Sequence, residues 1–63
     1  MRVEILKDNN GSLIGRIEFL DNGDQILRDF SGTKKAEYRS HENITYDKNG
    51  NKSGSGNLLA RFI

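Results

Sequence analysis

Asp47-Lys48-Asn49-Gly50-Asn51 sets oxygen-bearing side chains at alternate positions, as a calcium loop does at its start. A hard cation needs further oxygen donors, and EF-hand loops end on a bidentate glutamate with glycine at the sixth position. Here no glutamate follows and glycine comes fourth, so the stretch reads as a tight turn. Asp21 and Asp24 flank Asn22-Gly23 and read the same way. Ser40-His41-Glu42 offers a hydroxyl, an imidazole and a carboxylate, the groups of nucleophilic catalysis. Neighbours on an extended chain point to opposite sides, so these three cannot form a triad by themselves. No glycine-rich phosphate loop carries the required Lys-Ser or Lys-Thr. The residues therefore specify no cofactor and no metal, and the expectation is a protein that is not an enzyme. Asn43-Ile44-Thr45 and Asn51-Lys52-Ser53 match glycosylation sequons, and are read as chance matches.

Two groups of residues suggest binding instead. Arg16, Arg28, Lys34, Lys35 and Arg39, with Tyr38 and Tyr46, are of the types that small β modules use on nucleic acid, where bases stack on aromatics beside cations. Glu18, Asp29, Glu37 and Glu42 interleave with them, which is what an ordinary solvated sheet face also shows. The second group is the apolar ending, Leu58, Leu59, Phe62 and Ile63. These four cannot all face one small sheet, so they serve as an interface, as core, or as both through self-association.

Composition narrows the field. At 63 residues the chain is one domain, residues 1–63, and a chain of this size buries only about 60% of its unfolded surface. With no Cys and one His, disulfides and thiolate or multi-His metal sites within one subunit are excluded, and oligomerisation remains as a route to stability. A net charge of +1 argues against non-specific polyanion binding. No apolar run approaches a membrane span, and Met1-Arg2-Val3-Glu4 lacks a signal-peptide layout, so a cytoplasmic protein without a membrane role is expected.

The elements that would position these residues are strands. Val3 and Ile5 alternate with Arg2 and Glu4 over residues 2–7. Residues 12–20 form a second apolar segment, in which Gly15 signals a bulge or a close backbone approach. Asn22-Gly23 is a hairpin signal, and residues 25–30 read as a third strand. Residues 33–39 form a fourth, with Ala36 and Tyr38 inward and Lys35, Glu37 and Arg39 toward water. Residues 40–43 connect to a short fifth strand at Ile44, Thr45 and Tyr46. Residues 51–56 are an edge strand or a flexible lead-in. Residues 57–63 favour helix, capped by Ser55 or Asn57, with Leu58/Phe62 and Leu59/Ile63 as i, i+4 pairs; an apolar strand is the alternative.

One pattern recurs: Asp, two residues, Gly, three residues, then a small residue. It begins at Asp8 (Gly11, Gly15), Asp29 (Gly32, Ala36) and Asp47 (Gly50, Gly54), 21 and then 18 residues apart. The carboxylate can accept amides two or three residues on, and glycine supplies the positive φ that closes the turn. Repeated hairpins of this kind give an antiparallel meander. Thr45-Tyr46-Asp47-Lys48-Asn49-Gly50-Asn51 resembles the YD-repeat motif of large bacterial surface and toxin-delivery proteins, which implies hairpin geometry alone. Along its whole length the chain resembles a group of short uncharacterised bacterial proteins. The resemblance rests on Arg28-Asp29-Phe30-Ser31-Gly32, Asn43-Ile44-Thr45, Asp47 to Gly50 and the ending Gly56-Asn57-Leu58-Leu59-Ala60. It implies a compact fold and a bacterial origin. That group has glycine after the second turn where this chain has Lys35-Ala36, so a less tightly bent backbone is expected there.

The fold expected is mainly β, an antiparallel meander of five to six short strands, curled or barrel-like, with a short C-terminal helix. Asp8, Gly11, Asn22, Gly23, Asp29, Gly32, Asp47 and Gly50 form its turns. Its expected function is protein–protein interaction or self-association as a homodimer, through Leu58, Leu59, Phe62 and Ile63, with a further unidentified protein partner allowed. The alternative is a nucleic-acid-binding module that uses Arg16, Arg28, Lys35, Tyr38 and Arg39.

Overall fold

The computed structural model describes all residues, 1–63. Six antiparallel strands form one sheet in chain order: β1 Arg2–Lys7, β2 Leu13–Phe19, β3 Gln25–Asp29, β4 Lys34–Arg39, β5 Ile44–Asp47 and β6 Lys52–Ser55. A 3₁₀ turn, η1, follows at Leu59–Phe62. Residues 51–56 thus form an edge strand. The sheet is open, with β1 and β6 as free edges, and does not close into a barrel. The chain after β6 folds back across the sheet, and the Gly56 amide donates to the Asn43 carbonyl at 2.7 Å.

The three Asp-x-x-Gly turns are superimposable in their bonding. In each, one carboxylate oxygen accepts the amides two and four residues on: Asn10 and Ser12 for Asp8, Ser31 and Thr33 for Asp29, Asn49 and Asn51 for Asp47, all at 2.9–3.0 Å. The glycine amide returns to the Asp carbonyl, and Gly50, for one, needs its φ of 83°. Because the pattern recurs once per two strands, a meander must put all three turns at one end of the sheet. They join β1 to β2, β3 to β4 and β5 to β6. Phe30, expected at the end of β3, lies in such a turn and is 71% exposed, because Asp29 has already turned the chain.

The small residue that ends each copy has a structural cause. After each of these turns the register shifts by one residue on the return strand. Lys7 pairs with Leu13 but Leu6 with Gly15; Arg28 pairs with Lys34 but Leu27 with Ala36; Tyr46 pairs with Lys52 but Thr45 with Gly54. Ile14, Lys35 and Ser53 are therefore bulge residues, which bend the strand and raise its twist. The backbone at Ala36 makes the same shift as at the glycines, contrary to the looser bend expected there. The repeat is thus ten residues long: a core residue (Leu6, Leu27 or Thr45), the turn, a bulge, and a small residue opposite that core residue.

At the other end the geometry differs. Asn22 Oδ1 accepts the Asp24 amide at 2.9 Å, and the β2–β3 turn carries no bulge. The carboxylate of Asp24, only 9% exposed, takes the Ser40 amide at 2.9 Å and so ties this turn to residues 40–43.

Residues paired across strands share a face. One face carries Leu6, Ile17, Leu27, Ala36, Tyr38 and Thr45, and the chain end packs on it. Leu27, Ala36 and Leu59 form the fully buried cluster, flanked by Leu6, Ile17, Tyr38 and Phe62. Thr45 is fully buried; its hydroxyl donates to the Gly56 carbonyl at 2.7 Å and accepts the Leu58 amide at 2.9 Å. The third copy therefore has Thr where the others have Leu because this position pins the returning chain.

The expected helix is a single 3₁₀ turn. Asn57 Oδ1 accepts the Leu59 amide at 3.2 Å, and the Arg61 amide bonds Leu58 O at 3.0 Å. Four residues cannot meet the nucleation cost of an α-helix, and three residues per turn align i with i+3. Leu59 and Phe62 consequently share the inward side, in place of the i, i+4 pairs.

Candidate interaction surfaces

The opposite face is ionic. Its rows run Ile5–Arg16–Arg28–Lys34 and Val3–Glu18–Ile26–Glu37–Tyr46–Lys52, with Arg39 opposite Ile44. Each glutamate lies between two cations. Glu18 accepts from Arg28 Nε at 2.9 Å and Arg16 Nε at 3.2 Å. Glu37 accepts from Lys34 and, at 3.1 Å, from Arg39 Nε. The Arg39 guanidinium stacks 4.8 Å above the Tyr46 ring, whose hydroxyl donates to Glu42 Oε1 at 2.6 Å.

Of the residues proposed for nucleic acid, Arg16, Arg28 and Arg39 share this face. Tyr38 and Lys35 do not. Tyr38 pairs with Gln25 and Thr45 on the core face, and its hydroxyl donates to Asn43 Oδ1 at 2.8 Å. Lys35 is the bulge residue and borders, with Leu27 and Phe62, an apolar hollow of about 150 Å³ under the chain end. The bulge breaks the alternation that sets Lys35 beside Glu37 in a simple count.

The apolar ending divides. Leu59 is 2% exposed and belongs to the core. Phe62 packs against the core cluster, and Leu58 lies over Gly54, where an added Cβ would come within 2.8 Å of its Cδ1. Ile63 stays 58% exposed. The wider apolar exposure lies elsewhere: Met1, Val3, Ile5, Leu13 and Ile14 all belong to the first hairpin. Sequence periodicity shows these residues as apolar. That nothing covers Val3 and Ile5 follows from their place on the face opposite the one on which the chain end packs.

Other chemical candidates are spent on structure. Asp47 Oδ1 holds two turn amides. The Ser40 hydroxyl bonds the Asn22 carbonyl and Asp24, while His41 Nε2 lies 4.0 Å from Glu42. An open groove of about 340 Å³ lies between the Asp29 and Asp47 turns, with Lys35, Lys48 and Phe62 on its walls. No helix is long and apolar enough to cross a membrane. No family model, curated protein or solved structure matches the chain.

The hydrogen bond from Arg28, aided by that from Arg16, holds the Glu18 carboxyl below its usual range. Lys34, then Arg39, does the same for Glu37, and the Ser40 amide for Asp24. Protonation thus costs the folded chain more than the unfolded one. Their stabilisation is complete above the ordinary carboxylate range and is lost as pH falls through the depressed folded values. The melting temperature is expected to hold from neutral pH into mild acid and to fall below about pH 4, which a pH series of thermal melts checks.

Proposed function

We propose that the protein acts by association, without catalysis, and that its first partner is a second copy of itself. The observation that carries this reading is the imbalance of apolar surface. Three side chains make the fully buried apolar cluster, while the first hairpin alone leaves Met1, Val3, Ile5, Leu13 and Ile14 exposed, Val3 and Ile5 of them on the ionic face. A core this small leaves a lone domain with little stability, and association is the route open to a chain without Cys. With this reading go a cytoplasmic setting and the bacterial group that the sequence resembles. A further protein partner on the same surface is compatible with it.

The row Arg16–Arg28–Lys34, beside the Arg39–Tyr46 stack, supports a second reading as a nucleic-acid-binding module. Glu18 and Glu37 already engage these cations, so phosphate must displace a carboxylate to bind.

Linkage to association makes stability depend on concentration. The melting temperature is expected to rise by several degrees over a hundredfold increase in protein concentration. A constant value, with a monomer in sedimentation throughout, would remove the reading. Binding to single-stranded oligonucleotide that weakens with salt would promote the second one.

A further inference from the structure

The two free edges of the sheet differ. β6 has four residues, a bulge at Ser53, Gly54 and an exposed Lys52, all features that discourage edge pairing. β1 has six residues and no bulge residue of its own, and only Leu6 along it is partly covered. We propose that β1 pairs with β1 of a second copy, antiparallel about a two-fold axis at Val3, to make one continuous sheet. This inference rests on the self-association reading and names its surface.

Backbone direction and charge choose the register. The Asp8 amide bonds Ser12 O, so Asp8 points its amide at β2. Alternation along β1 turns Leu6, Glu4 and Arg2 the same way and leaves the amides and carbonyls of Val3 and Ile5 facing outward. A symmetric antiparallel pair that keeps each face continuous has three registers with substantial overlap. Centred on Glu4, it sets Glu4 against Glu4 of the other copy. Centred on Ile5, it sets Val3 against Lys7 and Glu4 against Leu6. Centred on Val3, it pairs Arg2 with Glu4 twice, Val3 with Val3, and Ile5 with Met1.

Among the residues of β1, only the last register opposes unlike charges and joins apolar residues to apolar residues; the Ile5-centred one sets Arg2 against Asp8, whose carboxylate already holds two turn amides. Its Arg2–Glu4 pairs fall at non-hydrogen-bonded positions, where side chains come closest. Arg2 and Glu4 make no ion pair within their own chain. Met1, Val3 and Ile5, exposed by 75%, 42% and 54%, would form one apolar strip with their counterparts.

Charge exchange tests this register by sedimentation. Arg2→Glu or Glu4→Arg places like charges opposite each other at both symmetry-related pairs and is expected to weaken the dimer about tenfold. The double exchange, Arg2→Glu with Glu4→Arg, is expected to restore it to within about threefold. Val3→Pro removes an outward amide, which an edge strand tolerates, and is expected to give a folded monomer by circular dichroism. A wild-type dimer that none of these variants weakens overturns the edge proposal and leaves self-association standing. A wild-type chain that stays monomeric at millimolar concentration overturns both.

Discussion

Replacing Gly15 with alanine is expected to leave the chain largely unfolded at room temperature. A Cβ at this position would lie 2.3 Å from the carbonyl oxygen of Arg28. The obstacle is backbone of the neighbouring central strand, so no side chain can swing aside. Relief requires β2 and β3 to separate where Gly15 pairs with Asp29, beside the Glu18–Arg28 bond. Overpacking of this kind costs about 1–3 kcal/mol and more where backbone must move. A domain below about 70–80 residues rarely has more than about 3–5 kcal/mol in hand from its core. Urea titration followed by circular dichroism measures the loss. The matching step of the second copy, Ala36, already carries its methyl at 0% exposure, so the steric demand at Gly15 belongs to the β2–β3 contact and not to the repeat as such.

Leu59→Ala is expected to be equally severe for a different reason. Leu59 is one of three fully buried apolar residues and the only one from outside the sheet. Its truncation costs about 2–5 kcal/mol, as for leucines in other cores. It also loosens the hold of the 3₁₀ turn on β4, so the bonds of Thr45 to Gly56 and Leu58 lose their support. Ile63→Ala, at 58% exposure, is expected to change stability by less than about 0.5 kcal/mol. The contrast separates two uses of the apolar ending. A Leu59→Ala chain that melts like wild type would mean that the segment is not core, and would send attention back to it as an interface.

The turns were legible in the sequence because their chemistry is local. An aspartate that binds the next amides and a glycine at positive φ need nothing from the rest of the fold. The spacing of those turns gives five strands and their order, and leaves residues 51–56 open between an edge strand and a flexible lead-in. What lay beyond reach was non-local. The bulges at Ile14, Lys35 and Ser53 arise from the register between strands, and they reset the count of which side chains share a face. Hence Lys35 leaves the face of Arg16, Arg28 and Arg39, whereas simple alternation already sets Tyr38 on the other face. The small residue in each copy was visible as a pattern, but what crowds it is non-local: the Arg28 backbone at Gly15 and the Leu58 side chain at Gly54. Thr45 carried a signal of a kind, a hydroxyl where Leu6 and Leu27 stand, and its meaning depended on a segment that returns from eleven residues away. The composition of the ending favours the 3.6-residue period of an α-helix, and the 3₁₀ turn uses three.

The apolar first hairpin has the same lesson for function. Alternation in residues 2–7 marks a half-buried strand, and the burial that the pattern anticipates is absent within one chain. A second copy supplies it in the arrangement proposed above. Amide hydrogen exchange at Val3 and Ile5 tests that claim most directly, because these amides face away from β2 and gain partners only across the two-fold axis. Both are expected to be protected in a concentrated sample and to exchange freely on dilution, while the Leu6 and Ile17 amides change little. Free exchange of Val3 and Ile5 at every concentration would contradict it.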